Sequence, residues 1–126
     1  LNVLTVCRNT APGTVALTSL DGKPLRECSR MLFIFNTMSA STGLRLSDEG
    51  SKLLDAGSLP VRLETGIIRC RLSIPRSASV RLYPLSINGI RRSPLTFSRN
   101  ADTLEFEIDT AKLPQGPTPY FELITE

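Results

Sequence analysis

Glu105 and Glu107 stand at i, i+2, a spacing that a β-strand holds about 7 Å apart on one face. Glycoside hydrolysis uses two carboxylates roughly 5 to 10 Å apart across a cleft, so the distance fits that chemistry. Repeating strand geometry supplies the same distance unaided, and a solvated strand face is the stronger reading. Asp48 and Glu49 are adjacent and could ligate calcium, yet no D-x-D-x-D-G register surrounds them. The 126 residues include no histidine, which removes Ser-His triads, Cys-His dyads, histidine metal sites and the usual proton shuttle near neutral pH. Cys7, Cys28 and Cys70 make no CxxC pair and allow at most one disulfide. No catalytic residue, metal or cofactor is therefore expected.

Binding chemistry has few candidates. A sugar site presents aromatic rings to C–H faces and polar groups to hydroxyls. Phe33, Phe35, Phe97, Phe106 and Phe121 fall in apolar runs and read as core, which leaves Tyr83 and Tyr120 as half-exposed rings for a polysaccharide. Fifteen Lys and Arg against 12 Asp and Glu give +3, with no run of five like charges and no Arg/Gly/aromatic interleaving, so nucleic acid is not an expected partner. No 18-residue apolar stretch exists, and no membrane insertion is expected.

The elements that would hold these residues read as strands. Asn2 to Cys7, Thr14 to Leu20, Arg30 to Thr37, Val61 to Thr65, Ile67 to Ile74, Val80 to Ile87, Ile90 to Phe97, Thr103 to Ile108 and Tyr120 to Ile124 are short apolar or alternating runs bounded by Gly, Pro, Asn and Asp. Arg30 to Thr37 is apolar on both pleat faces, the pattern of a central strand covered from two sides. Cys70 falls on the apolar face of Ile67 to Ile74 as a small hydrophobe. Asn88-Gly89 predicts a tight type I′ hairpin, and Pro84 and Pro94 place it near a sheet edge or give it bulges. Met38 to Pro60 breaks into Ser, Thr, Gly, Asp and Glu and reads as a long irregular connection, with one helical turn at most over Asp48 to Ala56. Eight or nine short strands with antiparallel hairpin signals predict an all-β fold, an antiparallel two-sheet β-sandwich of immunoglobulin-like or jelly-roll type, over residues 1–126 as a single domain. Forty percent hydrophobic residues suffice for one core, and the start at Leu1 without methionine suggests a piece of a larger multidomain chain.

One stretch is more distinctive. Val15-Ala16-Leu17-Thr18-Ser19-Leu20-Asp21-Gly22-Lys23-Pro24-Leu25, then Ser29-Arg30-Met31-Leu32, resembles the C-terminal accessory β-sandwich that follows the catalytic barrel in large bacterial glycoside-hydrolase-like proteins. Ser41-Thr42-Gly43-Leu44 sits where that family reads Asn-Thr-Gly-Met. Leu59-Pro60-Val61-Arg62-Leu63-Glu64 and Val80-Arg81-Leu82-Tyr83-Pro84-Leu85 with Asn88-Gly89 follow in the family's order. Ser41 in place of asparagine and the absence of tryptophan are departures.

The resemblance implies a non-catalytic domain, extracytoplasmic or secreted, that packs against and supports the catalytic domain of the same polypeptide. A carbohydrate-binding module using Tyr83 and Tyr120 is the alternative. Glu64, Arg45 and Thr42 are the expected interface residues: Glu64 interrupts an apolar strand where the family carries a glutamate, and Arg45 and Thr42 belong to the long connection.

Overall fold

The computed structural model describes residues 3–74 and 79–125, and Asn2, the expected start of the first strand, lies outside them. Twelve strands occur among the described residues: β1 (Leu4–Asn9), β2 (Gly13–Ser19), β3 (Arg30–Thr37), β4 (Ser39–Thr42), β5 (Arg45–Leu46), β6 (Leu53–Asp55), β7 (Ser58–Leu63), β8 (Ile67–Ser73), β9 (Val80–Pro84), β10 (Ser98–Asn100), β11 (Thr103–Asp109) and β12 (Tyr120–Thr125). A single 3₁₀ turn, Thr110–Lys112, follows β11, and no α-helix is found among the described residues.

The fold is all-β and antiparallel. One four-stranded sheet has the order β1-β8-β11-β10 and a second the order β2-β3-β12-β9. Alternation decides which side chains turn inward. In β8, Ile68, Cys70 and Leu72 are buried while Arg69 and Arg71 are exposed, and in β11, Leu104, Phe106 and Ile108 are buried in register against them. In the second sheet Met31, Phe33, Phe35, Leu82, Phe121 and Leu123 are buried. All these residues belong to one core cluster, in which Phe33 meets Phe106 edge-on with ring centroids 5.3 Å apart and Phe121 at 6.0 Å.

Five expectations need correction. Met38 to Pro60 is not an irregular connection: β4 pairs with β7, and β5 pairs with β6, as two antiparallel ribbons. Asp48 to Ala56 forms no helical turn, because Leu53–Asp55 is extended as β6. β3 lies between β2 and β12 as expected of a central strand, but Leu32 and Ile34 on its second face are only half-buried. At the Asn88-Gly89 hairpin, Gly89 alone takes a positive φ (77°), and its N–H donates to the Ser86 carbonyl at 2.9 Å. The turn is therefore centred on Ile87 and Asn88, with Gly89 as a left-handed residue after it, rather than type I′. The expected strand Ile90 to Phe97 is not continuous either: around Pro94 its ladder with β9 and its extension reduces to the isolated bridges Leu82–Leu95 and Leu85–Arg91. β9 is an edge strand, as the two prolines predict.

The motif Ser19-Leu20-Asp21-Gly22 … Ser29 has a structural explanation. The Asp21 carboxylate accepts from Ser19 Oγ at 2.8 Å and from the Ser29 N–H and Oγ at 2.8 and 2.9 Å, which closes the connection between β2 and β3. The Ser29 amide, with the Ser19 hydroxyl, holds this carboxyl far below the usual carboxylate range.

Candidate docking surface

The two ribbons form an arm between β3 and β8. β4 runs out from the end of β3 and β7 returns toward β8; between them β5 and β6 flank a turn in which Ser47 N–H donates to the Lys52 carbonyl at 2.9 Å. Asp48 and Glu49 stand exposed in that turn. Where the ribbons meet, Gly57 lies against Thr42. It has φ 71°, its N–H donates to Asp55 Oδ1 at 2.9 Å, and a Cβ there would fall 2.5 Å from the Thr42 carbonyl oxygen. Only glycine combines that backbone conformation with that approach.

All three expected interface residues fall on this arm. Glu64 is at its root, where its N–H donates to the Met38 carbonyl at 2.8 Å and its carbonyl accepts from Thr37 Oγ1 at 2.6 Å, leaving the residue exposed. Thr42 sits at a register shift in the β4–β7 ribbon, where its hydroxyl donates to the Pro60 carbonyl at 2.7 Å. Arg45 is exposed on β5 opposite Asp55.

The arm's apolar side chains are what the polar composition concealed. Every residue from 48 to 62 is exposed, so the strands here are uncovered on both pleat faces. Met38, Leu44, Leu46, Leu53, Leu54, Leu59 and Val61 are exposed large hydrophobics, with Leu59 83% and Leu53 61% accessible. Their sequence signal was weak, because they are scattered over connections and over strands of two to six residues, too few positions for a clear periodicity. Two-stranded ribbons without a covered face are marginal on their own, and contiguous apolar surface marks a contact site.

The tyrosines lie elsewhere. On β12, Tyr120 and Glu122 share a face, and Glu122 is opposite Tyr83 on β9, so the two tyrosines are diagonal neighbours on the second sheet. Both rings are half-buried. The Arg91 guanidinium lies 5.5 Å from the Tyr83 ring centroid, so one face of that ring is occupied. Arg91 Nε also donates to Glu122 Oε2 at 2.6 Å, and Arg30 donates to Oε1 through Nε at 2.9 Å and Nη2 at 2.7 Å. The Glu122 side chain is only 4% exposed under these two arginines, although it points away from the core. Arg91 first, and Arg30 with it, hold its carboxyl below the ordinary glutamate range. Nothing in the alternation of Tyr120 to Ile124 singled out Glu122, because its partners are distant in sequence.

Cys7 is exposed, Cys28 and Cys70 are buried, and all three are free thiols. Burial pushes the Cys70 thiol up to about 12. The Glu105 carboxylate is taken up by Arg69 and Arg71 rather than held ready in a cleft. Compared with protein-family models, with curated proteins and with solved structures, the chain matches none.

Proposed function

We propose that this chain is a non-catalytic accessory domain whose two four-stranded sheets pack as a β-sandwich, and whose arm docks on the catalytic barrel of a glycoside-hydrolase-like polypeptide. The observation that carries the reading is the arm: seven large hydrophobics exposed within residues 38–61, with every residue from 48 to 62 open to solvent. Displayed apolar surface of this kind gains free energy only when something covers it. The barrel as the covering surface comes from the sequence resemblance, and the positions of Glu64, Thr42 and Arg45 along the arm agree with it. One core cluster drawn from both sheets, with Phe33 of one against Phe106 of the other, supports the sandwich.

The test is association in trans. The 126-residue chain should bind the separately expressed barrel of its own polypeptide, and the pair Leu53→Asp and Leu59→Asp should abolish binding while Tyr83→Phe leaves it intact. Equal binding by the arm variant, or none by the unmodified chain, overturns the proposal.

A further inference from the structure

Among the described residues, three of the four edge strands carry something that discourages further pairing. β1 contains Arg8 and a register shift between Val6 and Arg8, β10 has three residues, and β9 carries Arg81 and Pro84 and is met on its outer side by the bridge from Leu82 to Leu95. β2 is the exception. Its seven residues, Gly-Thr-Val-Ala-Leu-Thr-Ser, hold no charge and no proline, run in unbroken register along β3, and pair with that strand alone. Antiparallel geometry fixes where the remaining backbone groups point. The Leu20 N–H donates to the Arg30 carbonyl at 2.9 Å, so Thr18, Ala16 and Thr14 in turn direct their backbone groups at β3, while Val15, Leu17 and Ser19 direct theirs away from it. The Phe35 N–H, on the far side of β3, donates to the Pro119 carbonyl as the same alternation requires. Val15 and Leu17 pack against the core cluster yet stay half-buried, since they lie on the sheet's last strand. Thr14 and Thr18 are exposed on the opposite face with Ala16 between them.

We propose that β2 is the interface of a homodimer, in which it pairs antiparallel with β2 of a second copy about a two-fold axis at Ala16 and joins the four-stranded sheets of the two copies into one. The strand is a near-palindrome about that residue: Thr14 mirrors Thr18, Val15 mirrors Leu17 and Gly13 mirrors Ser19. Laid against its own reverse, it sets Val15 opposite Leu17 of the second copy in hydrogen-bonded pairs on the core side, where each half-buried side chain covers the other. On the outer side Thr14 stands opposite Thr18 of the second copy, a favourable cross-strand pair. Ala16 meets its own counterpart at the axis, where a non-hydrogen-bonded pair brings the Cα atoms to about 4.5 Å and a small side chain fits. With no charge along the strand, the two-fold opposes no like charges. It also closes the assembly at two copies, because each β2 edge is then covered. The backbone groups alone would accept any extended segment; the mirrored side chains are what select a second copy. The proposal does not depend on the arm's partner.

The experiment is sedimentation equilibrium of the 126-residue chain, joined to amide hydrogen exchange at low and high protein concentration. A reversible monomer–dimer equilibrium is expected, with a dissociation constant on the order of 10 to 100 μM for an interface below the standard size. Exchange at Val15, Leu17 and Ser19 should slow as the dimer fills, whereas Thr14, Ala16 and Thr18, bonded to β3, should be protected already in the monomer. Thr14→Lys with Thr18→Lys sets ammonium against ammonium in both outer pairs and should weaken the dimer about tenfold. Thr14→Lys with Thr18→Glu sets opposite charges in the same pairs and should restore it. Both positions are exposed, so either double variant should fold. The arm variant Leu53→Asp, Leu59→Asp should dimerise as the unmodified chain does, which separates this edge from association through the arm. A folded chain that stays monomeric to about 1 mM, a dimer that the arm variant abolishes, a dimer indifferent to the double lysine variant, or one that the lysine and glutamate pair fails to restore would each overturn the assignment.

Discussion

Glu122 shows how two half-exposed arginines can bury a carboxylate on the outside of a sheet. Removing it by Glu122→Ala leaves Arg30 and Arg91 facing each other without a counter-ion, and because both remain half in water the expected cost is about 1 to 3 kcal/mol rather than that of a fully buried pair. The folded-state pKa is lowered, so this contribution is present above the unfolded glutamate value and is lost as pH falls through the folded value. A Glu122→Gln variant should therefore flatten the acid limb of melting temperature against pH, while leaving a constant deficit near neutrality. An unchanged acid limb would mean that the clamp does not persist in solution. The same clamp limits what Tyr83 can do: Arg91 covers one face of its ring.

At the scale of elements, legibility followed pattern length. Arg30 to Thr37 was readable to the residue as a run apolar on both faces, and Ile67 to Ile74 and Thr103 to Ile108 within one residue, because alternation sustained over six or more positions outweighs local noise. The ribbons were only partly readable as strands: Val61 to Thr65 overlaps the end of β7, but β4, β5 and β6 have two to four residues and bury neither face, so nothing periodic was imprinted on them. The positions of Glu64, Arg45 and Thr42 were nevertheless anticipated to make contacts, and they share the arm. What escaped was the display of leucines, which exposure alone reveals. Gly57→Ala tests whether the arm is energetically separate. A positive φ and a Cβ 2.5 Å from the Thr42 oxygen should cost the arm about 1 to 2 kcal/mol. Hydrogen exchange should accelerate across residues 39–63 while the melting temperature of the remainder stays within a degree or so of its original value. Loss of the global transition would show instead that the arm supports the core.

The whole molecule rests on one apolar cluster with Phe33 near its middle, in contact with Phe106 and Phe121. Phe33→Ala should cost about 3 to 5 kcal/mol, measured by denaturant unfolding, and should lower the stability of both sheets together. Two separate transitions, one for each sheet, would contradict a shared core. The arm contributes no residue to that cluster, and this has a consequence for how such a chain changes over generations. Residues that hold the fold together cannot vary freely, since each substitution is felt throughout the packing. Leu53, Leu54, Leu59 and Val61 are exposed, and under the proposed docking they answer only to the surface that covers them. Substitution there can retune partner choice one side chain at a time while the protein underneath stays folded, so the arm can diverge faster than the body that carries it.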